Sequence, residues 1–327
     1  MSRWLVIGGA GYVGSHVLHE FVSYGSECYV LDNLSKGFRD RIPSHVEFIL
    51  GDAADSELII EVCKKYKIDS VLHFAAYMQA RESVRDPIKY WDNNLNATLG
   101  IAKALESLNI KQLIFSSSCS VYGNNSEAQT NSELNPLSPY AMTKVACEQI
   151  LGQACSQAQT RLSIMRYFNV IGCGDFEFSL DASVETLVPS ILRSISLNLP
   201  FQIYGNSFNT LDGTALRDYL DVRDLARAHL TASQITSGVN PAVYNVSTGL
   251  GTTVKQIVEI LLTLTNGEIN IEFHDPKPGD PAVIAAKPSQ ALLEFGWCAE
   301  IPIETSLSDY VDNFQKHQEK KVPSIES

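Results

Sequence analysis

Six short apolar runs punctuate the first half of the chain, at residues 3–8, 27–32, 46–50, 70–74, 112–116 and 161–167. None alternates apolar with polar positions. Continuous hydrophobicity is the pattern of strands covered on both faces, as in parallel sheets. Between the runs lie segments with helical periodicity, at 12–25, 55–66, 86–108 and 140–157. Strand and helix therefore alternate, which predicts an α/β fold built on a doubly wound parallel sheet.

Beyond about residue 170 the rhythm loosens. Residues 172–180 and 204–216 are rich in Gly, Asn, Asp and Ser and read as loops. Helices are expected at 184–198 and 252–265, and a short strand running into a helix at 219–231. Asp275–Asp280 reads as a turn, 289–295 as a short helix, and 317–327 as a polar, frayed tail. The expected organisation is a Rossmann-type domain at 1–170, joined by about 219–249, with a smaller mixed α/β substrate-binding region at 171–218 and 250–327. The cleft between the two is the expected ligand site.

Composition narrows the classes. The 327 residues can bury a large core, and 45% hydrophobic with 19% charged residues is ordinary for a globular protein. A net charge of −12 argues against a nucleic-acid surface, so any anionic ligand must be held by individual Arg and Lys side chains. No apolar stretch is long enough to span a bilayer, and Met1–Ile7 leads into a Gly-rich turn, so it reads as a strand and not a signal peptide. Seven cysteines, odd in number and never as Cys-x-x-Cys, predict core thiols in a reducing cytoplasm and no disulfide scaffold. The seven histidines show no metal-ligand spacing, so no metal is expected; His73 reads as a satisfied strand-end histidine.

Chemistry concentrates at three places. The loop Gly8-Gly-Ala-Gly11-Tyr-Val-Gly14 joins the first strand to the first helix. Backbone amides at such a helix start, unobstructed by Cβ atoms, admit a pyrophosphate. Asp32 ends the second strand, where an acid binds adenosine ribose hydroxyls and repels a 2′-phosphate, so NAD is favoured over NADP. Asp52 and Phe74-Ala75-Ala76 stand after the third and fourth runs, on the adenine and nicotinamide sides. Finally, Phe115-Ser-Ser-Ser118 precedes Tyr140 and Lys144. Positions i and i+4 share a helix face, so the lysine can stabilise a tyrosinate. With 13 tyrosines in the chain, Tyr-x-x-x-Lys alone is weak evidence; the serine run and glycine loop, in that order, give it meaning.

These blocks, with Arg166-Tyr-Phe-Asn169, Asp212-Gly-Thr214, Arg217-Asp-Tyr219 and Gly279-Asp-Pro-Ala282, resemble the UDP-glucose 4-epimerases of the extended short-chain dehydrogenase/reductase family. The resemblance covers nearly the whole chain. It implies Tyr140 as base, Lys144 as its electrostatic partner and Ser118 as the bridging hydroxyl. It implies an NAD site lined by Gly8, Gly11, Tyr12, Val13, Gly14, Asp32, Asn33, Asp52, Ala53, Phe74, Ala75, Asn94, Lys144 and Phe168. Asn169, Arg217, Lys277 and Asp280, with Ser118 and Tyr140, would hold a UDP-sugar. The implied reaction interconverts UDP-glucose and UDP-galactose through a transient 4-ketose, the lysine and the nicotinamide charge lowering the tyrosine pKa. Cys119-Ser120 stand where related dehydratases carry an acid, which favours epimerisation over elimination. A homodimer through helices 86–108 and 140–157 is also implied. The chain departs from the pattern at Met78, Thr186, Lys277 and Asp221, and Ile284 stands near a position that gates N-acetylated sugars. Those departures leave another UDP-sugar (pentose, uronate or N-acetylhexosamine) open. A non-catalytic NAD-binding sensor is the reading from another class.

Overall fold

The six apolar runs form six strands: β1 (Arg3–Ile7), β2 (Glu27–Asp32), β3 (Glu47–Leu50), β4 (Ser70–His73), β5 (Gln112–Ser116) and β6 (Arg161–Tyr167). Helices α1 (Tyr12–Ser23), α2 (Ser56–Tyr66), α3 (Ala80–Arg85), α4 (Pro87–Leu105) and α5 (Pro139–Gln157) connect them. This computed structural model describes residues 2–125, 127–183, 185–236, 238, 240–276, 281–286 and 295–321. The two long helices start where side-chain chemistry tells them to. Asp86 and Ser138 cap α4 and α5 through the amides of Lys89 and Ala141, and Pro87 and Pro139 occupy the first turn, where a missing N–H costs nothing.

Then follow β7 (Asn169–Ile171), α6 (Leu187–Leu197), β8 (Phe201–Tyr204), β9 (Leu216–Asp221), α7 (Val222–Gln234), β10 (Ala242–Val246) and β11 (Gly251–Thr253). After these come α8 (Val254–Thr265), β12 (Ile271–His274), β13 (Val283–Ile284) and α9 (Ile303–Lys321). The main sheet has seven strands in the order β10-β6-β5-β4-β1-β2-β3. Every neighbouring pair in it is parallel. The order reverses between β1 and β4, which is where such sheets open a crevice beyond the strand ends. Register aligns Ile7 with Leu31 on one side and His73 on the other, so Gly8, Asp32 and Phe74 emerge together.

One apolar layer lies under α1 and α7 (Val17, Leu18, Phe21, Leu225, Ala228) and a second under α2, α4 and α5 (Ile59, Val62, Ile101, Leu105, Leu151). The smaller region has its own core, from Ile191 and Leu192 of α6, Ile257, Val258 and Leu261 of α8, and Leu307, Tyr310 and Val311 of α9. Its sheet sets β9 between β11 and β13, with β7 also pairing β9. Fully burying such side chains contributes roughly 1.5–3 kcal/mol each.

Several elements escape the hydrophobic reading. Strands β7, β8, β10, β11, β12 and β13 are two to five residues long and carry too little pattern. The tail expectation is corrected: α9 continues through Lys321, because Ile303, Leu307, Tyr310, Val311 and Phe314 keep a helical stripe against the second core. The expected helix at 289–295 falls almost entirely outside the described residues, as do Lys277–Asp280 of the expected turn.

Polar contacts join the two regions. Tyr12 Oη donates to the Gly172 carbonyl (2.6 Å), and Arg41 donates to the carbonyls of Phe178 and Leu180 (2.9 and 2.7 Å). His16 Nδ1 lies 2.8 Å from the Tyr12 carbonyl while its Nε2 accepts from the Gly174 amide at 2.9 Å, which fixes one neutral tautomer. Asp221, one of the departures, caps α7 and pairs with Arg223, which also reaches Asp309 on α9. His73 is only partly satisfied, against expectation: Nε2 meets Thr98 Oγ1 at 3.3 Å, and Nδ1 has no partner among the described residues.

Burial lowers His16 to about 4, His73 to about 3 and His229 to about 4. Each is neutral in the fold and titrates near 6.5 when unfolded, so the unfolded chain binds more protons in between. The stability these residues confer is complete above pH 6.5 and is lost as pH falls toward about 4. Denaturant midpoints should therefore drop steeply over that window. An apparent stability flat from pH 6.5 to 4 would contradict neutral burial of these rings.

Candidate active site

The glycine loop is built by close approach. Gly8 has φ +82°, and a Cβ on it would sit 2.5 Å from the Ala75 amide nitrogen. A Cβ on Gly14 would sit 2.3 Å from the Gly8 carbonyl oxygen. The loop thus folds against its own helix and the end of β4, and only glycine fits both places. Gly11 caps α1, so the first-turn amides point out of the sheet edge.

Gly8, Gly11, Asp32, Asn33, Asp52, Ala53, Phe74 and Ala75 line one crevice at this edge, together with Lys36, Tyr77 and Asn93. Asp32 is buried and holds the loop in shape, accepting the Ala10 amide at 2.9 Å and the Leu34 amide at 2.8 Å. Burial raises its pKa, opposed by those two amides and by Arg41. Asn33 donates to Asp52 at 2.9 Å, closing the crevice between β2 and β3. The expected lining residues Tyr12, Val13, Gly14, Asn94, Lys144 and Phe168 are not among those that line this crevice. The Tyr12 ring turns to the second region, and Asn94 spends its amide on Tyr77 N and O (2.8 and 3.1 Å) and Thr143 Oγ1 (3.0 Å). Asn94 therefore ties the crevice wall to α5. Phe168 is buried among Cys119, Val121 and Tyr122.

One strand from the order reversal, β5 delivers the serine run. Its three members face three partners. The Ser116 carbonyl accepts Lys144 Nζ at 2.7 Å, and Ser116 Oγ lies 2.5 Å from Tyr167 Oη. Ser117 Oγ donates to Glu148 at 2.5 Å. Ser118 hydrogen-bonds Tyr140 and caps the short 119–122 helical turn. Tyr140 and Lys144 are both buried on α5, with Nζ 5.9 Å from the tyrosine ring centre and 4.9 Å from that of Phe115. Ser83 of α3 accepts the Tyr140 amide at 3.1 Å. Ser118, Tyr140 and Lys144, grouped in the sequence reading, are thus neighbours in the fold.

Burial acts on the protonation of both groups. Burial pushes the Tyr140 phenol well above its ordinary value, with the Ser118 hydrogen bond pulling the other way. Burial also lowers Lys144 to about 8, against the pull of Cys147 and Glu148. Desolvation opposes the charged form of both groups.

Sequence reasoning missed Glu148 and the pairing that holds this arrangement. Glu148 forms a buried two-point pair with Arg166 (2.9 and 2.5 Å), and Arg166 also reaches Tyr122 Oη at 2.9 Å. Only the Glu148 position one turn beyond Lys144 could have signalled this. In the smaller sheet, β7 pairs Asn169 with Tyr219, two residues from Arg217, so these expected substrate residues lie on neighbouring strands. Arg217 is buried, and Asp218 beside it ties β9 to Thr248 and Gly249. Lys277 and Asp280 lie outside the described residues.

Residues 4–247 match the profile of the NAD dependent epimerase/dehydratase family. The chain belongs to this family. A UDP-glucose 4-epimerase of Lactobacillus helveticus is 38% identical over 299 residues, covering 90% of this chain and 91% of that protein. The crystal structure of UDP-glucose 4-epimerase from Bifidobacterium longum, in complex with NAD+ and UDP, superposes with TM-score 0.89 at 30% identity, covering 98% of this chain and 100% of the other. That of Stenotrophomonas maltophila, with NAD and formylated UDP-arabinopyranose, also gives 0.89 at 28% identity, covering 98% of this chain and 99% of the other. Membership in the epimerase/dehydratase family accounts for the Rossmann-type sheet and for NAD as cofactor. The loop fits that group, since Gly8 and Gly11 line the crevice at the start of α1, whose first-turn amides carry no side-chain cap.

Gly8→Ala forces a methyl group onto the Ala75 backbone at a positive φ. Purified G8A protein should carry less than about a tenth of the wild-type NAD while keeping its far-UV circular dichroism. Full NAD content in that variant would contradict the crevice assignment.

Proposed function

We propose that the protein is a UDP-sugar 4-epimerase that interconverts UDP-glucose and UDP-galactose, retaining NAD between turnovers. The observation that carries this reading is the convergence of Ser118, Tyr140 and Lys144 one strand from the glycine-loop crevice, coupled to its wall through Asn94. Tyr140 would remove the proton from the sugar 4-hydroxyl, directly or through Ser118. Bound NAD would supply a reversible hydride acceptor at C4 and a positive charge. That charge would offset the burial that holds Tyr140 protonated. Lys144, kept in place by the Ser116 carbonyl, would accompany the phenolate. Returning the hydride to the opposite face of C4, and the proton to its oxygen, gives the epimer with no net oxidation.

An epimerase needs a firm grip on the nucleotide and a loose one on the sugar. We assign the firm grip to Asn169 and Arg217, with Lys277 and Asp280 expected from sequence alone. A guanidinium on phosphate makes strong charge-assisted hydrogen bonds. Neither residue that follows the serine run suits elimination: burial drives the Cys119 thiol up to about 12, and Ser120 is not an acid. The lobes we propose are 1–170 with about 219–249, and 171–218 with 250–327, a division that β9 (Leu216–Asp221) crosses. No helix among the described residues is long and apolar enough to cross a membrane, and a cytoplasmic setting fits the six buried free thiols.

Tyr140→Phe should reduce turnover of UDP-galactose by at least about a thousandfold and leave bound NAD unchanged, read by coupled assay and by NAD released on denaturation. Wild-type protein that holds NAD yet converts no UDP-hexose, while turning over a UDP-pentose or UDP-uronate, would move the substrate assignment. A biological activity intact in Y140F would favour the sensor reading.

We also propose a homodimer through α4 and α5. Ile88, Leu99 and Met142 on these helices are 73%, 37% and 41% exposed, an apolar surface that two copies would cover. Light scattering should give twice the 36.0 kDa chain mass, and Ile88→Arg with Leu99→Glu should return the single-chain mass. A wild-type protein of 36.0 kDa at micromolar concentration would rule the interface out.

A further inference from the structure

The Arg166–Glu148 pair is the most heavily bonded buried charge cluster near the proposed triad, and the chemistry above does not use it. Glu148 receives three donors: Ser117 Oγ at 2.5 Å, and Arg166 Nε and Nη2 at 2.9 and 2.5 Å. Arg166 in turn holds Tyr122 Oη at 2.9 Å, and Tyr122 donates to Asn245 at 2.7 Å. The cluster therefore joins α5, β5, β6, β10 and the 119–122 turn. Both side chains of the pair are only 6% exposed.

Its position gives it leverage. Ser117 is the middle of the serine run, and its neighbours are the two residues that meet the triad. The Ser116 carbonyl fixes Lys144 Nζ, and Ser118 hydrogen-bonds Tyr140. Ser117 lies between these two serines in the chain, so tying its side chain to α5 fixes the backbone that presents the Ser116 carbonyl to Lys144 and Ser118 to Tyr140. Glu148 also stands one helical turn beyond Lys144 on α5. The groups facing Lys144 are His73 from β4, Phe115 and the Ser116 carbonyl from β5, and Tyr140, Cys147 and Glu148 from its own helix.

We propose that Glu148, clamped by Arg166 and bonded to Ser117, is a positioning residue that aligns Ser118 and Lys144 on Tyr140 and keeps a compensating negative charge behind the lysine. This rests on the epimerase reading above. It assigns two separable effects to one residue: placement through Ser117, and charge through its carboxylate. Nothing passes through Glu148 in the reaction.

The test uses the NAD-loaded enzyme and three variants. Ser117→Ala removes the anchor and keeps every charge. It should lower kcat on the order of 100-fold, the size expected for a small misplacement of reacting groups. KM for the UDP-sugar and bound NAD should hold, and amide hydrogen exchange at 116–120 should quicken. Glu148→Gln removes the charge and should also move the alkaline limb of the kcat profile to lower pH. Lys144 then loses its proton more readily, whereas S117A should leave that limb in place. E148Q leaves Arg166 as a lone buried cation, which works against folding. Glu148→Gln combined with Arg166→Met provides the same charge test without that cation. Unchanged kcat and exchange in S117A would overturn the anchoring. An unmoved alkaline limb in the folded glutamine variants would overturn the charge role. Wild-type protein that converts no UDP-sugar would remove the epimerase reading and this inference together; active wild type with indifferent variants removes only the inference.

Discussion

Tyr140 and Lys144 are buried together, and for both the charged form is the one that burial opposes. In water a phenol and an ammonium would keep near-ordinary values; here the phenol rises and the ammonium falls. Proximity of the pair is therefore insufficient to ionise the tyrosine. The remaining favourable charge has to arrive at the crevice edge, where the sheet order reverses and the glycine loop lies. On the reading proposed above, chemistry at Tyr140 depends on that edge being one strand away. The coupling through Asn94, which bonds both the Tyr77 backbone on the crevice wall and Thr143 on α5, keeps the distance fixed.

A second buried electrostatic commitment stands behind the first. Replacing a buried ion pair by apolar side chains is often neutral or stabilising, whereas removing one partner costs about 3–5 kcal/mol. Arg166 and Glu148 are thus poor evidence for stability as such. Their value lies in geometry: a planar guanidinium gripping a carboxylate at two points leaves little freedom for Ser117, the third group bound to it. The same double use shows in Asp32, whose carboxylate both closes the glycine loop and faces the crevice.

What could be read in the sequence follows from where physics is local. Six of the seven strands of the main sheet announced themselves because strands covered on both faces must be apolar throughout. The glycine loop was legible because steric exclusion leaves one residue type, and Tyr140–Lys144 because a helix turn is a fixed interval. The rest depended on distant partners. Strand β7 exists because β9 pairs with it, and nothing in Asn169–Ile171 by itself specifies that. Asn94 was expected to line the cofactor crevice, but its carboxamide finds a backbone and a threonine that sequence spacing could not place there. Arg166 was noticed as part of a motif, while its partner Glu148 was not, since an ion pair between β6 and α5 leaves no periodic trace. The burial that raises Tyr140 was equally hidden: the helical interval is visible in the sequence, and the depth of burial is not.

Departure from the family pattern can be structural without touching the chemistry, and Asp221 shows how. A histidine there would remove the aspartate cap of α7 and leave Arg223 with Asp309 as its only acid partner among the described residues. Because Arg223 spans from the start of α7 to α9, the aspartate fastens the last helix to the strand that carries Arg217. The substitution and its partners form one unit, so the aspartate at position 221 is explained by how the smaller region is braced. Thr186 behaves alike, its hydroxyl committed to Asp181 at 2.6 Å on the same side of the smaller region. Asp181 in turn takes the Tyr310 hydroxyl on its backbone carbonyl at 3.1 Å, so this departure too is tied into α9. Two of the four unusual positions thus brace one helix, and that helix closes the core beneath the proposed nucleotide grip.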